Sequence, residues 1–300
     1  MKSLLKAVAE NDIDKAKAYT QVIVNNDKTK KNQAFCEEMR IKLKTYQSKK
    51  LTQIPKEVNG LIEAEDLQDT GFNPGRYFLS HREEQISTEV EQMYQASQKL
   101  KQMDVHYPNT LMLHGKSGTG KTMFGRYLAY LLGLPFVYMN FSNAISSYLG
   151  TTGKNINLVF EYAKKQPCLL MLDEIDAIGV MRGKEDVGEM GRITIGLIQA
   201  LDKIHNDMVI VGATNRLDMV DHAICRRFSV SHKVEAFDSE EMVKMICQFL
   251  EDIGIVYDQQ IIRGYCARNH QKNQSYVMKD IVRAIGKSIQ RQDDFHVYLD

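Results

Sequence analysis

Eight consecutive residues constrain this chain more than any others: Gly115-Lys116-Ser117-Gly118-Thr119-Gly120-Lys121-Thr122 fit the pattern GxxxxGK[ST]. Glycines let backbone N–H groups close around an anion, and the N-terminus of a following helix adds partial positive charge. The pattern carries this meaning only between a strand and a helix. Here an apolar run over 110–114 precedes it, and an amphipathic run over 121–132, with Met123 in its first turn, follows it. The loop therefore predicts a nucleotide phosphate site. Lys121 reaches the β- and γ-phosphates in that reading, and Thr122 holds Mg²⁺.

The rest of the central region alternates short apolar runs with helical spacing. Strands are expected at 111–113, 136–139, 169–172, 209–211 and 230–234, with helices over 121–132, 155–165 and 192–203. This alternation predicts an α/β domain with a five-stranded parallel sheet covered on both faces. A helix over 83–103 precedes it, and three helices over 239–252, 259–268 and 277–291 follow as a small all-α lid. Domain bounds are expected at 1–50 for a helical N-terminal region, 51–80 for a linker gathering Pro55, Gly60, Gly71 and Pro74, 81–237 for the large domain and 238–300 for the lid.

Composition sets outer limits. The net charge of +1 argues neither for nor against a nucleic-acid or membrane partner. No apolar run approaches the ~18 residues of a membrane span, so no membrane insertion is expected and a cytoplasmic location is the reading. Five scattered cysteines without a CxxC pair fit reduced thiols, and the eight histidines form no metal motif. Locally, the first fifty residues hold roughly twice as many Lys and Arg as Asp and Glu. They read as two or three short helices that recruit a partner, cap their own neighbour or touch nucleic acid.

Leu169-Leu170-Met171-Leu172-Asp173-Glu174 is an apolar strand ending in two carboxylates, roughly fifty residues after Lys121. Phosphoanhydride hydrolysis needs one carboxylate for the magnesium shell and another to orient water, roles that fall to Asp173 and Glu174. The block running from Pro167 to Asp176 resembles the Walker B segment of AAA+ ATPases, and within them the AAA clade of protein remodellers, including the katanin, spastin and ESCRT-disassembly group.

Further segments match in order. The stretch from Val209 to Arg216 is similar to that family's sensor 1 strand, which implies that Asn215 positions the attacking water or the γ-phosphate. The stretch from Asp221 to Phe228 resembles the arginine-finger segment, which implies that Arg226 and Arg227 act on a neighbouring subunit's nucleotide. Tyr148-Leu149-Gly150 resembles the pore loop that grips a threaded polypeptide, although packing between helices explains Tyr148 and Leu149 too. A second pore-facing loop is expected over 181–191.

Two departures stand out. Lys116-Ser117 replaces the two prolines common in the clade, and the stretch from Ser275 to Ile281 stands where a Ser-Gly-Ala-Asp turn is usual. Lys279 there either contacts phosphate or faces solvent. Tyr77 and Phe78 pack either near an adenine or in a core.

The resemblance implies an ATP- and Mg²⁺-dependent hydrolase forming a homo-oligomeric ring, a hexamer, that remodels, threads or disassembles a protein. The alternatives are an AAA+ ATPase acting on nucleic acid, as a helicase loader or transposition regulator does, and an ATP-gated assembly scaffold.

Overall fold

The computed structural model describes residues 19–20, 22–24, 29, 32, 54–68, 72–147, 152–180 and 187–299. The chain divides into two compact units, Met1–Lys49 and Lys50–Asp300. In the first, Tyr19, Thr20 and residues 22–24 are helical, and Val24 is buried. The other positions expected to form helices in this stretch lie outside the described residues.

In the second unit the elements run β1 (Glu63–Glu65), α1 (His81–Gln102), β2 (Asn109–His114), α2 (Lys121–Leu131), β3 (Phe136–Asn140), α3 (Phe141–Ser147), α4 (Thr152–Lys164), β4 (Leu169–Asp173), α5 (Ala177–Val180), α6 (Val187–Leu201), β5 (Val209–Thr214), α7 (His222–Cys225), β6 (Val230–Lys233), α8 (Ser239–Asp252), α9 (Gln259–Arg268) and α10 (Gln274–Arg291). The sheet order is β1-β3-β4-β5-β2-β6. The five parallel strands anticipated from sequence are present, and a sixth, β1, pairs antiparallel with β3 at the edge. The expectation of five strands is thus corrected to six in a mixed sheet, and the stretch read as a linker supplies the extra one. Glu63-Ala64-Glu65 is too short and too polar to announce a strand; the exposed backbone edge of β3 organises it.

The pleat sorts the apolar runs onto two faces. Leu111, Leu113, Leu169, Met171, Val209 and Val211 face one core, shared with Phe124 and Leu128 of α2 and Ile86 and Val90 of α1. Met112, Leu170, Leu172 and Ile210 face the other, packed by Ile156, Val159 and Phe160 of α4 and Ile193 and Leu197 of α6. Alternate residues of one strand serve opposite layers, which is why these strands read as continuous apolar runs. This three-layer arrangement brings the C-terminal ends of β2, β4 and β5 side by side, where ligands bind in open parallel sheets.

The lid has its own core, built on Ile246, Leu250, Ile262, Tyr265, Val277 and Ile281. Its helices start at side-chain caps: Asp238 accepts from Glu241 N, Asp258 from Gln260 N and Asn273 from Tyr276 N. Phe78 joins this core and meets Phe237 edge-on at 5.4 Å, whereas Tyr77 packs against the sheet-side core. Consecutive residues therefore tie the two lobes together. Among the described residues no helix is long and apolar enough to cross a membrane.

Candidate functional site: a phosphate loop between sheet and lid

The loop leaves β2 at His114, whose carbonyl accepts Val234 N at 2.8 Å, and Gly115 N donates to the Thr214 carbonyl at 3.2 Å. A Cβ on Gly115 would lie 2.1 Å from the Val234 carbonyl oxygen, so only glycine allows this close approach. Gly118 sits at φ +79°, the left-handed region that L side chains enter at a cost of about 1–2 kcal/mol. Helix α2 begins after Gly120 with no side-chain cap, which leaves its first N–H groups unclaimed for an anion.

Lys121 folds back across the loop. Its Nζ donates to the carbonyls of Gly115 (2.8 Å) and Lys116 (3.0 Å) and to Asn215 Oδ1 (2.8 Å). All three ammonium donors have partners. Burial pulls its pKa below the ordinary lysine value, opposed by the nearby carboxylates of Asp173 and Asp176. Asn215 is thereby brought from the end of β5 onto the loop that leaves β2.

Beside it, Thr122 Oγ1 donates to Asp173 Oδ2 at 2.8 Å, and the Tyr138 hydroxyl reaches the same oxygen at 3.3 Å. Asp173 Oδ1 accepts the Glu174 N–H at 2.9 Å. The chain turns sharply there: Glu174 has φ +56°, a conformation that costs a non-glycine residue about 1–3 kcal/mol and clusters at functional sites. Thr214 Oγ1 donates to Asp176 at 2.7 Å and accepts the Arg216 N–H at 2.9 Å, which braces the backbone on either side of Asn215.

The two arginines follow α7. The Arg226 side chain is exposed and makes no hydrogen bond or ion pair with the described residues; only its backbone N–H is bonded, to the His222 carbonyl at 3.1 Å. Arg227 is held by Asp202, Nε to Oδ1 at 3.0 Å and Nη2 to Oδ2 at 3.3 Å, a pairing that raises its pKa further. Tyr148-Leu149-Gly150 and residues 181–186 lie outside the described residues, and residues 187–191 belong to α6.

The lid closes directly on the loop. Asn273 Nδ2 donates to the Ser117 carbonyl (3.0 Å), Ser275 N to that of Gly118 (3.2 Å) and Gln274 Nε2 to that of Thr119 (3.4 Å). A cavity of about 750 Å³ lies between loop and lid, with Tyr77, Phe78, Met123, Met278 and Lys279 on its wall. Its size and apolar lining fit a nucleotide base.

Residues 111–236 match the family model described as "ATPase family associated with various cellular activities (AAA)". The chain carries an AAA ATPase domain. It is similar to an uncharacterized AAA family ATPase of Sinorhizobium fredii, 32% identical over 65% of this chain and 58% of that protein. It is also similar to a proteasome-activating nucleotidase of Methanosphaerula palustris, 31% identical over 63% of this chain and 48% of that protein. The chain thus spans about half the length of these curated relatives. Among solved structures the FIGL-1 AAA domain superposes with a TM-score of 0.57 over 83% of this chain and 90% of that one, at 19% identity, a likeness of fold.

Within the AAA domain, sequence reasoning missed Tyr138 and Thr214 and the intrachain partner of Arg227. The register offered a signal for the first. Asn140 lies opposite Asp173 across the β3–β4 pair, so Tyr138 and Asn140 are polar residues at the end of the strand beside the carboxylates. Lys279 is both exposed and on the cavity wall, so facing solvent and facing the loop–lid cavity are not exclusive.

Proposed function

We propose that this chain is an ATP hydrolase that assembles into a hexameric ring and uses turnover to remodel, thread or disassemble a protein substrate. The observation that carries the reading is the meeting of Lys121 with Asn215 beside the Thr122–Asp173 bond, which joins loop, acid strand and sensor strand at one point. The likeness to a proteasome-activating nucleotidase supports a protein as substrate.

In this reading the open N-terminus of α2 and the loop amides bind the phosphates, and Lys121 exchanges its carbonyl partners for phosphate oxygens. The base enters the cavity between Tyr77, Met123 and Met278. Thr122 and Asp173 are the residues that would hold Mg²⁺, Asp173 through water; two oxygen donors 2.8 Å apart suit a hard cation that keeps most of its waters. Bound there, the ion supplies neutralisation of charge on the phosphates. Glu174 orients the attacking water and accepts its proton, and Asn215, an amide able to donate and accept, positions it. An arginine from the adjoining subunit stabilises charge developing on the γ-phosphate, so activity depends on assembly. Tyr148-Leu149-Gly150 grip the substrate through non-directional apolar contact.

The test is a pair of substitutions. Glu174→Gln should retain ATP, stabilise the ring by mass photometry and abolish turnover. Tyr148→Ala should hydrolyse ATP at close to the wild-type basal rate yet fail to process its substrate. Normal processing by Tyr148→Ala would end the threading mechanism. Salt-sensitive DNA binding that disappears on deleting residues 1–50 would instead favour a nucleic-acid partner, in keeping with that stretch's excess of lysine.

A further inference from the structure

Adjacent arginines at the end of α7 invite the assumption that both act alike across a subunit boundary, but their surroundings differ. Arg227 is fastened at every point. Its Nε and Nη2 grip the two oxygens of Asp202, and its Nη1 donates to the Ala223 carbonyl at 3.2 Å, one of the carbonyls that the short helix leaves unpaired. Its own carbonyl accepts Thr110 Oγ1 at 2.8 Å, and the same hydroxyl accepts Ser229 N at 2.9 Å, so buried Thr110 of β2 locks the turn. Buried Ile224 and Phe228 anchor it on either side. Arg226, one residue earlier, is exposed and carries no such tie.

We propose that the two arginines divide the work: Arg226 is the group delivered to the neighbouring subunit's nucleotide, and Arg227, clasped by Asp202, is a positioning residue that aims it. The assignment rests on the ring-ATPase reading above. For Arg227 to cross the boundary it would have to leave a two-point carboxylate contact and uncap α7, which would loosen the turn that presents Arg226. Asp202, immediately after α6, thereby becomes a functional residue that no nucleotide-binding motif contains.

The experiment measures kcat, ATP affinity and ring mass for Arg226→Ala, Arg226→Lys, Arg227→Ala, Arg227→Lys, Asp202→Asn and the double variants that combine Asp202→Asn with Arg227→Ala or with Arg227→Lys. Arg226→Ala should lose about 10³-fold or more in kcat with ATP affinity within about twofold, and Arg226→Lys should not recover it. Arg227→Ala and Asp202→Asn should each lose about 10- to 100-fold, the scale of a misaimed group. Asp202→Asn/Arg227→Ala should lose no more than either change alone, because both remove one contact. Arg227→Lys should recover part of the loss with Asp202 present and none in an Asp202→Asn background, a dependence that general destabilisation would not produce. Mixing Arg226→Ala with Glu174→Gln chains should restore turnover, since one supplies the acid and the other the arginine.

Arg227→Ala as inactive as Arg226→Ala, with Asp202→Asn at wild-type rate, would overturn the division of labour and leave the ring reading standing. So would full activity of Arg226→Ala. Wild-type protein without ATP turnover, or a mixture as inert as its parts, would sink the ring reading and this assignment with it.

Discussion

Gly212, in the middle of β5, is the point where the acid strand and the arginine turn press on each other. It pairs with Met112 on one side and Leu172 on the other. A Cβ added there would lie 2.7 Å from Ile175 Cδ1, 2.7 Å from Phe228 Cζ and 2.9 Å from Phe228 Cε1. Carbon atoms rest about 3.5–4.0 Å apart, so each neighbour must retreat by roughly 1 Å. Both lie beside chemistry: Ile175 follows Glu174 at its left-handed turn, and Phe228 follows Arg226 and Arg227. Overpacking a filled core by one methyl costs about 1–3 kcal/mol. At about 2–4 °C per kcal/mol for a unit of this size, Gly212→Ala should lower Tm by roughly 2–12 °C.

The functional loss should be selective. No atom of the phosphate loop is among the close neighbours of that Cβ, so ATP affinity should stay within about twofold while kcat falls at least about tenfold. Scanning calorimetry, nucleotide titration and steady-state turnover measure the three quantities. Phe228→Leu in the Gly212→Ala background should return part of the lost Tm by vacating ring atoms. A Gly212→Ala protein that melts and hydrolyses like wild type would show that these contacts do not hold the two segments in place.

Asn273→Ala should cost about 1–2 kcal/mol by thermal melting and speed hydrogen exchange in the first turn of α10, because it removes both the helix cap and the bond to the Ser117 carbonyl; Asn273→Ser should recover the cap alone. For Lys121 the sign follows from burial. Its pKa in the free protein lies below the ordinary lysine value, and phosphate favours the charged form, so ATP affinity should fall as pH rises through that depressed pKa, earlier than an exposed lysine would allow. Titrating affinity from neutral pH towards 10.5 checks this, with Lys121→Met as the control that lacks the step.

Features written in contiguous residues are legible in the sequence alone. The turn from Gly115 to Gly120 between β2 and α2 is one, because its glycines answer to local backbone geometry. The lid helices α8 and α9 are others: Asp238 and Asp258 cap them where the apolar spacing begins, and the observed bounds coincide with the expected ones. The parallel strands announced themselves through apolar runs, since burial on both faces leaves no room for polar alternation.

What depends on partners distant in sequence was not legible. Glu63-Ala64-Glu65 became a strand because β3 offered an edge, and Tyr138 came to an acid oxygen through pairing with β4. Whether Arg226 and Arg227 are equivalent could not be read from two identical letters side by side; Asp202 distinguishes them from the end of another helix. By itself the sequence determined which residue types could bind phosphate, hold a cation and orient water, because those are properties of single side chains and short turns. Only the tertiary structure decided which of them meet, since contact between the ends of separate strands is set by sheet order and packing rather than by any local pattern.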